Sequence, residues 1–162
     1  MLVCEDDFPA YPGRLGDVLM IKHLFHIWQH DWLVKAYINT TSDDAEEILD
    51  ELRSISADMD TMRVAYKNLR KGLPNTGLTY TSPLYRETVI VVSHATSAEE
   101  FFNSFIHELC HAKTHICDYL GIDLASEQAA YFIGGLSRDL FPNVKHLLCD
   151  CCRHKLEGNG EH

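Results

Sequence analysis

The sequence predicts an α+β domain in which a small mixed or antiparallel β-sheet packs on helices. Runs rich in β-branched and aromatic residues, bounded by turn residues, indicate strands at 19–28, 32–39, about 78–82 and 87–93. Apolar residues at helical spacing indicate helices between and after these strands. The length of 162 residues is typical of one domain with a single core. A first helix running through Ile27 is the competing interpretation of the opening segment.

The two ends of the chain differ in composition from its middle. Residues 1–18 are rich in proline and glycine and show no periodicity, which predicts an irregular N-terminal arm. Residues 155–162 are polar and contain two glycines, which predicts a flexible tail. Between them the chain shows no repeat and no linker, so residues 19–154 are expected to form the single domain.

Charge and composition argue against nucleic acid or an anionic membrane as the main partner. The chain has 14 Lys and Arg against 24 Asp and Glu, a formal net charge of -10, whereas both partners favour a basic surface. No apolar run approaches the ~18 uncharged residues that span a bilayer. The first residues are acidic and lack the basic start of a secretory signal. Six cysteines then favour free thiols, and a cytoplasmic location is expected.

Capping residues and glycines predict where three helices begin and end. Ser42 is the expected N-cap of the first helix, because acidic residues follow it in the first turn. Gly72 is expected to end the second helix. Thr96 or Ser97 is expected to cap the third helix, since a glutamate stands three residues after each and completes a capping box. Gly121 is expected to end that helix.

The third predicted helix carries a His-Glu-x-x-His motif at residues 107–111. Residues four apart share a helix face, so His107 and His111 can point at one metal ion. Glu108 projects beside them, in a position to polarise a metal-bound water. The pattern predicts a zinc site in which two imidazoles bind the metal and a carboxylate acts as general base.

A catalytic zinc usually takes a third protein ligand, and Glu127 is the expected one. Asp123 is read as the N-cap of a fourth helix from Leu124 to about Leu140, stopped before Pro142. The third helix rises ~13 Å from His111 to its end, and one turn of a returning helix recovers ~6 Å of that distance. A glutamate side chain crossing obliquely is expected to span the rest. A short last helix over 143–150 is also expected.

Two other side chains of the third helix are weaker candidates for the third ligand. His115 continues the spacing of four, but three successive imidazoles form a row, and a row cannot surround a tetrahedral ion. Asp118 lies too near on the same helix to reach the site without unwinding it. A ligand from elsewhere in the chain also stays open.

Taken together, these residues resemble the gluzincin clan of zinc metallopeptidases, particularly its one-domain members. The His-Glu-x-x-His motif together with Glu127 carries this resemblance. Further stretches are GLTYT at 77–81, TVIVV at 88–92, SAEEF at 97–101 and SEQAAY at 126–131, around HELCH at 107–111. They are similar to small proteins of gut Bacteroidales and their phages. The resemblance implies a zincin-like fold, an active-site helix followed by a glutamate-bearing helix. Compared with larger members of the clan, no counterpart of their longer C-terminal subdomain is expected here, and the spacing to the expected third ligand is shorter.

The resemblance also implies roles for four residues. His107, His111 and Glu127 would bind zinc, and Glu108 would be the general base that activates a water for attack on a peptide bond. The expected function is thus a zinc-dependent hydrolase, a metallopeptidase with a peptide or protein substrate. A dedicated toxin-type or antirepressor-type protease is a narrower form of it. The alternative, from another class, is a non-catalytic zinc-stabilised binding or regulatory module of phage or mobile-element origin.

Further residues are candidates for supporting roles. Tyr131 and His146 are candidate donors to the oxyanion that forms during hydrolysis. Either strand 78–82 or strand 88–92 is expected to present an edge that holds an extended peptide.

The remaining cysteines and aromatic residues are assigned to packing. Cys149, Cys151 and Cys152, with His146 and His154, suggest a second metal site, but the run lacks the paired C-x2-C of a zinc knuckle. Packing and free thiols are therefore the preferred interpretation. The expected core includes two cysteines of the third helix and six aromatic residues: Cys110, Cys117, Trp28, Trp32, Phe101, Phe102, Phe105 and Tyr119.

Overall fold

The computed structural model describes residues 19–149. The predicted arm, the predicted tail and residues 150–154 lie outside the described residues. Within the described part no helix is long and apolar enough to cross a membrane. The elements, in chain order, are β1 (Ile21–Ile27), β2 (Trp32–Thr40), α1 (Ala45–Ser54), α2 (Met59–Lys71), β3 (Gly77–Ser82), β4 (Glu87–Ser93), α3 (Ala98–Leu120) and α4 (Glu127–Val144).

The strands form one mixed sheet in the order β1-β2-β4-β3. β1 and β2 are an antiparallel hairpin, β2 and β4 run parallel, and β3 pairs antiparallel with β4. The α+β class and the four strands are therefore confirmed, and the competing first helix through Ile27 is wrong. That segment pairs along its whole length with β2, because its apolar residues fit a sheet that a helix also covers.

Helices pack on both faces of the sheet. The four alternate residues Trp32, Val34, Ala36 and Ile38 of β2 join Ile90 and Val92 of β4 in one apolar cluster with α3 and α4. Tyr37, Val89 and Val91 point the other way and pack with α1 and α2. β2 and β4 are buried on both faces, as the continuous β-branched run of β4 predicts.

Most predicted helix ends are confirmed. Ser97 caps α3 by accepting from the Glu100 N–H at 3.1 Å, and Gly121 ends α3 with a φ of 70°. Gly72 ends α2 with a φ of 58°. Ser42 is not the first cap: Thr41 caps a short 3-10 turn over Ser42–Asp44, from which α1 continues.

The start and end of α4 differ from the prediction. The N-cap is Ser126, which accepts from the Ala129 N–H at 3.2 Å, so Glu127 is the first helical residue. Asp123 instead stabilises the preceding turn, where its carboxylate accepts from the Ala125 N–H at 3.0 Å. Pro142 lies inside the last turn of α4, and the expected last helix is a 3-10 turn over Lys145–Leu148.

Three of the six aromatic residues assigned to the core are exposed instead. Trp28 is 80% exposed in the turn between β1 and β2, and Phe102 is 53% exposed beside the buried stripe of α3. Tyr119, 47% exposed at the end of α3, contacts Trp32 in an edge-to-face arrangement. Of the two cysteines, Cys117 is buried and Cys110 is exposed. Aromatic character alone does not say which side of a helix faces the sheet.

Candidate metal and catalytic site

The helix α3 presents a buried face to the sheet and places the motif histidines on its outer face. Phe101, Phe105, Leu109, Ala112 and Ile116 recur at helical spacing and are buried against β2 and β4. The motif histidines fall outside this stripe and are exposed. The register of the apolar stripe therefore fixes which way the motif points.

His107 and His111 lie at the surface with the Nε2 atoms of their rings facing each other. Their Nε2 atoms are 3.1 Å apart, and their rings are inclined by 73° with centroids 4.7 Å apart. Two imidazole nitrogens that bind one zinc ion at ~2.0–2.1 Å and at a near-tetrahedral angle lie ~3.3 Å apart. The pair thus fits two ligands of one metal ion. A hydrogen bond between neutral tautomers would require a similar distance.

Glu108 differs from its two neighbours because it is buried. Its side chain is 4% exposed and lies against β3. The Thr79 hydroxyl donates to Oε2 of this carboxylate at 2.6 Å and also lies 3.2 Å from the Glu108 carbonyl oxygen. A carboxylate with so little contact with water needs such a donor, because an unpaired buried charge is costly.

The second oxygen of Glu108, Oε1, differs from the first in its hydrogen bonding. The buried side-chain atoms of the described residues that lack a hydrogen bond are His26 Nδ1 and Glu87 Oε2, and the latter lies 2.8 Å from the Lys35 ammonium. Oε1 is not one of these atoms, and no described residue donates a hydrogen bond to it. Glu108 therefore has one oxygen held by the protein and one available for proton transfer.

Gly77 leaves the space that the Glu108 side chain occupies. A Cβ at this position would lie 2.5 Å from Oε1 and 2.6 Å from Cγ of Glu108. No real Cβ tolerates such distances, so a side chain here would displace the carboxylate. Sequence reasoning assigned no individual role to Gly77 or Thr79. The available signal was a glycine directly before a predicted strand, since glycine at a strand often marks the close approach of another group.

The strand that holds Glu108 is the edge of the sheet. No strand of the described chain pairs with the outer side of β3, whereas β4 is paired on both sides. The predicted peptide-binding edge can therefore be β3, and the alternative of strand 88–92 is wrong. The Ser93 N–H donates to the Thr76 carbonyl at 2.9 Å. From Thr76 onward, the residues of β3 alternately direct their backbone N–H and C=O groups towards β4 and away from it. The backbone groups of Gly77, Thr79 and Thr81 consequently point outward.

The structure does not bring Glu127 into a three-ligand cluster. Within residues 19–149, no three His, Cys, Asp or Glu side chains are grouped closely enough to hold a metal ion. The sequence prediction placed Glu127 one helical turn inside α4, so that this turn would bring it back towards His111. In the structure α4 begins at Glu127, and that turn is missing. Glu127 is exposed at the first turn of α4. Its role as third ligand stays a prediction.

The remaining candidates lie at different places. The His115 ring is 5.8 Å from that of His111. Partial desolvation and then the charge of His111 lower the pKa of His115, while Asp118 opposes the shift. Tyr131 is 77% exposed one turn after Glu127, so it is not a core residue. His146 lies in the 3-10 turn after α4, where burial and then Lys145 lower its pKa.

The proposed second metal site mostly falls outside the described residues. Cys149 is partly buried and not in a disulfide, whereas Cys151, Cys152 and His154 lie beyond the part that the structure describes.

Comparison of the chain with models of known protein families, with curated proteins and with solved structures finds no match. The roles of the residues described above consequently depend on their own geometry and chemistry.

Proposed function

We propose that this protein is a zinc-dependent hydrolase, a metallopeptidase of the gluzincin type with a zincin-like fold. The observation that carries the proposal is the arrangement within one turn of α3. The Nε2 atoms of two exposed histidines stand 3.1 Å apart, and Glu108, which follows the first of them in the chain, is buried and hydrogen-bonded on one oxygen. A solvated glutamate on a helix surface would need neither the Thr79 hydroxyl nor the space at Gly77.

The chain's own residues divide the chemistry between them. His107 and His111 would bind zinc through Nε2, with Glu127 as the proposed third ligand. When bound, zinc would supply a Lewis acid that lowers the pKa of a coordinated water towards ~7. Glu108 accepts the proton of the attacking water on Oε1 and then donates it to the leaving amine. Tyr131 and His146 stay candidate oxyanion donors.

The edge strand β3 supports a peptide as substrate. Its outward backbone groups stand unpaired by any described strand, so an extended peptide can add to the sheet there by main-chain hydrogen bonds. The same strand contacts Glu108 through Thr79. A bound peptide would thus lie close to the general base.

Metal analysis and turnover together test the proposed function. Protein purified without added metal should contain about one zinc per chain, and His107→Ala and His111→Ala should lose most of it. On a pool of internally quenched peptides, Glu108→Gln should keep the zinc and lose about 10²–10⁴-fold of the turnover. The matched control is Glu99→Gln, an exposed glutamate of the same helix, which should match the wild type. Equal cleavage by wild type and Glu108→Gln would exclude Glu108 as the base.

A second candidate is a zinc-stabilised binding module without turnover. The free edge of β3 favours it, because that edge can equally pair with a strand of a partner protein. Zinc in the wild type together with no cleavage of any peptide in the pool would support this candidate over the first.

A further inference from the structure

We propose that Thr79 is a positioning residue for Glu108. Its hydroxyl holds Oε2 of the carboxylate and thereby leaves Oε1 as the proton acceptor. The inference rests on the proposed function, because it assigns a role in the same reaction. It concerns a residue of β3 that lies 29 positions before Glu108 in the chain.

The first step is the strength and isolation of the contact. The hydroxyl lies 2.6 Å from Oε2, within the range of short charge-assisted O–H···O⁻ bonds. No other donor to the Glu108 carboxylate exists among the described residues, so Thr79 alone orients it. Without this hydroxyl, the carboxylate would turn towards water to recover a partner.

The second step is the packing that makes the hydroxyl effective. Gly77 and Thr79 are alternate residues of β3, so both face α3. Gly77 admits the carboxylate to the strand, and Thr79 then fixes its rotation. Oε1 and Oε2 are chemically equivalent in a free carboxylate. The hydroxyl removes that equivalence, because it occupies one oxygen and leaves only the other for the water.

The third step connects the carboxylate to the edge of the sheet. The alternation of pairing with β4 directs the backbone N–H and C=O of Thr79 outward, while its side chain faces Glu108. One residue therefore contacts the base and stands at the edge where an extended peptide would pair. A rigid strand is a more precise support for a reacting group than a loop.

The test uses Thr79→Val, which keeps the shape and removes the hydroxyl, and Thr79→Ser, which restores it. On a single peptide cleaved by the wild type, Thr79→Val should lower kcat by about 10–100-fold and change KM by less than about twofold. Thr79→Ser should recover kcat to within about threefold of the wild type. Zinc content should be the same in all three proteins.

Thr88→Val is the matched control. Thr88 is a buried threonine of β4 whose hydroxyl accepts from Trp32 Nε1 at 2.9 Å and does not contact Glu108. This variant should lower the denaturation midpoint and leave kcat unchanged. An equal loss of kcat in Thr79→Val and Thr88→Val would mean that lost stability, not lost positioning, reduces the rate.

Crystal structures of the zinc-loaded proteins give a readout that does not depend on turnover. In Thr79→Val the Glu108 carboxylate should move by ~1 Å or more, and in Thr79→Ser it should not. An unmoved carboxylate in Thr79→Val would overturn the inference whether or not the protein cleaves peptides. A wild type that cleaves nothing, with a moved carboxylate in Thr79→Val, would overturn the proposed function and keep the structural role of Thr79.

Discussion

Two carboxylates on opposite faces of the sheet differ in their hydrogen-bond and ion-pair partners. Glu51, on the face covered by α1 and α2, is paired with the Lys35 ammonium and accepts from the Tyr37 hydroxyl at 3.1 Å. Glu108, on the other face, has one neutral donor and one oxygen that accepts no hydrogen bond from a described residue. A fully partnered carboxylate stabilises the fold, whereas a half-partnered one keeps an acceptor for chemistry.

The pKa values of the first group follow from this pairing. Burial alone would raise the pKa of Glu51, but Lys35, followed by Tyr37 and Ser54, holds it below the usual 4.5. Burial likewise opposes the charged form of Lys35, but Glu51 and Glu87 raise its pKa above 10.5. Burial and the charge of Glu51 also raise the pKa of Tyr37. These shifts favour a negative Glu51, a positive Lys35 and a neutral Tyr37, which are the usual charge states of these groups at neutral pH.

Among variants that change the surroundings of the two carboxylates, the largest expected effect comes from filling the space beside Glu108. Gly77→Ala would place a Cβ 2.5 Å from Oε1 and force the carboxylate away. We expect turnover to fall by about 100-fold, since ~1 Å of misplacement has that cost, and the unfolding free energy to fall by about 1–3 kcal/mol. Peptide cleavage rates and urea denaturation measure the two effects.

Gly134→Ala is the matched control for this prediction. A Cβ at Gly134 would meet nothing within 4 Å, and the residue lies inside α4. Alanine is the better helix former, so this variant should gain up to about 1 kcal/mol and cleave peptides at the wild-type rate. If both glycine variants behaved alike, the close approach of Glu108 to Gly77 would be wrong.

The next effect concerns the cation on the other face. Lys35→Met leaves the carboxylates of Glu51 and Glu87 partly buried and without their positive partner. We expect a loss of about 1–3 kcal/mol of unfolding free energy, less than for a wholly buried pair because the side chains are 15–21% exposed. Urea denaturation measures it, and turnover should not change.

The control for Lys35 is a surface pair on the same sheet. Lys22 lies 2.5 Å from Glu47, but both side chains are about half exposed, at 47% and 48%. Lys22→Met should therefore change the unfolding free energy by less than about 0.5 kcal/mol. A larger effect at Lys22 than at Lys35 would show that burial does not set the strength of these pairs.

The smallest expected effect is the dependence of stability on pH. The folded-state pKa of Glu51 is depressed, so its stabilisation is present above about 4.5 and is lost as pH falls through the folded value. The folded-state pKa values of Lys35 and Tyr37 are raised, so their stabilisation is lost as pH rises above about 10.

Lys35→Met should reverse the direction in which Glu51 changes the stability at acid pH. Without the ammonium, burial is the largest influence on Glu51, and its pKa should rise above 4.5. The difference in Tm between wild type and Lys35→Met should then shrink as the pH falls from 6 to about 3. A constant difference over that range would contradict the coupling of the two residues.

The parts of the fold that sequence reasoning predicted well are those set by neighbouring residues. Gly72 and Gly121 end helices because the left-handed backbone they adopt is easiest for glycine, and Ser97 caps α3 through an N–H three residues away. The errors arose where two local signals compete. Asp123 and Ser126 are both good caps, and the structure uses Ser126 as the N-cap of α4.

In the candidate site, too, some features follow from neighbouring residues and others from tertiary packing. The spacing of His107 and His111 already requires them to share a helix face, whatever the rest of the chain does. The partner of Glu108 could not be found this way, because Thr79 reaches it only after β3 pairs with β4 and α3 packs on both. The position of Glu127 likewise depends on where α4 begins and how it runs relative to α3, and the rise along α3 alone does not predict this.

By itself, the sequence determined the class of fold, the ends of α2 and α3, and a paired imidazole and carboxylate motif on one helical turn. These follow from hydrogen bonds and steric limits within a few residues of each other. Only the tertiary structure decided that β3 is the edge strand, that Gly77 and Thr79 contact Glu108, and that Oε2 alone accepts a hydrogen bond from a described residue. Those outcomes depend on strand order and on contacts between distant residues, which local patterns do not encode.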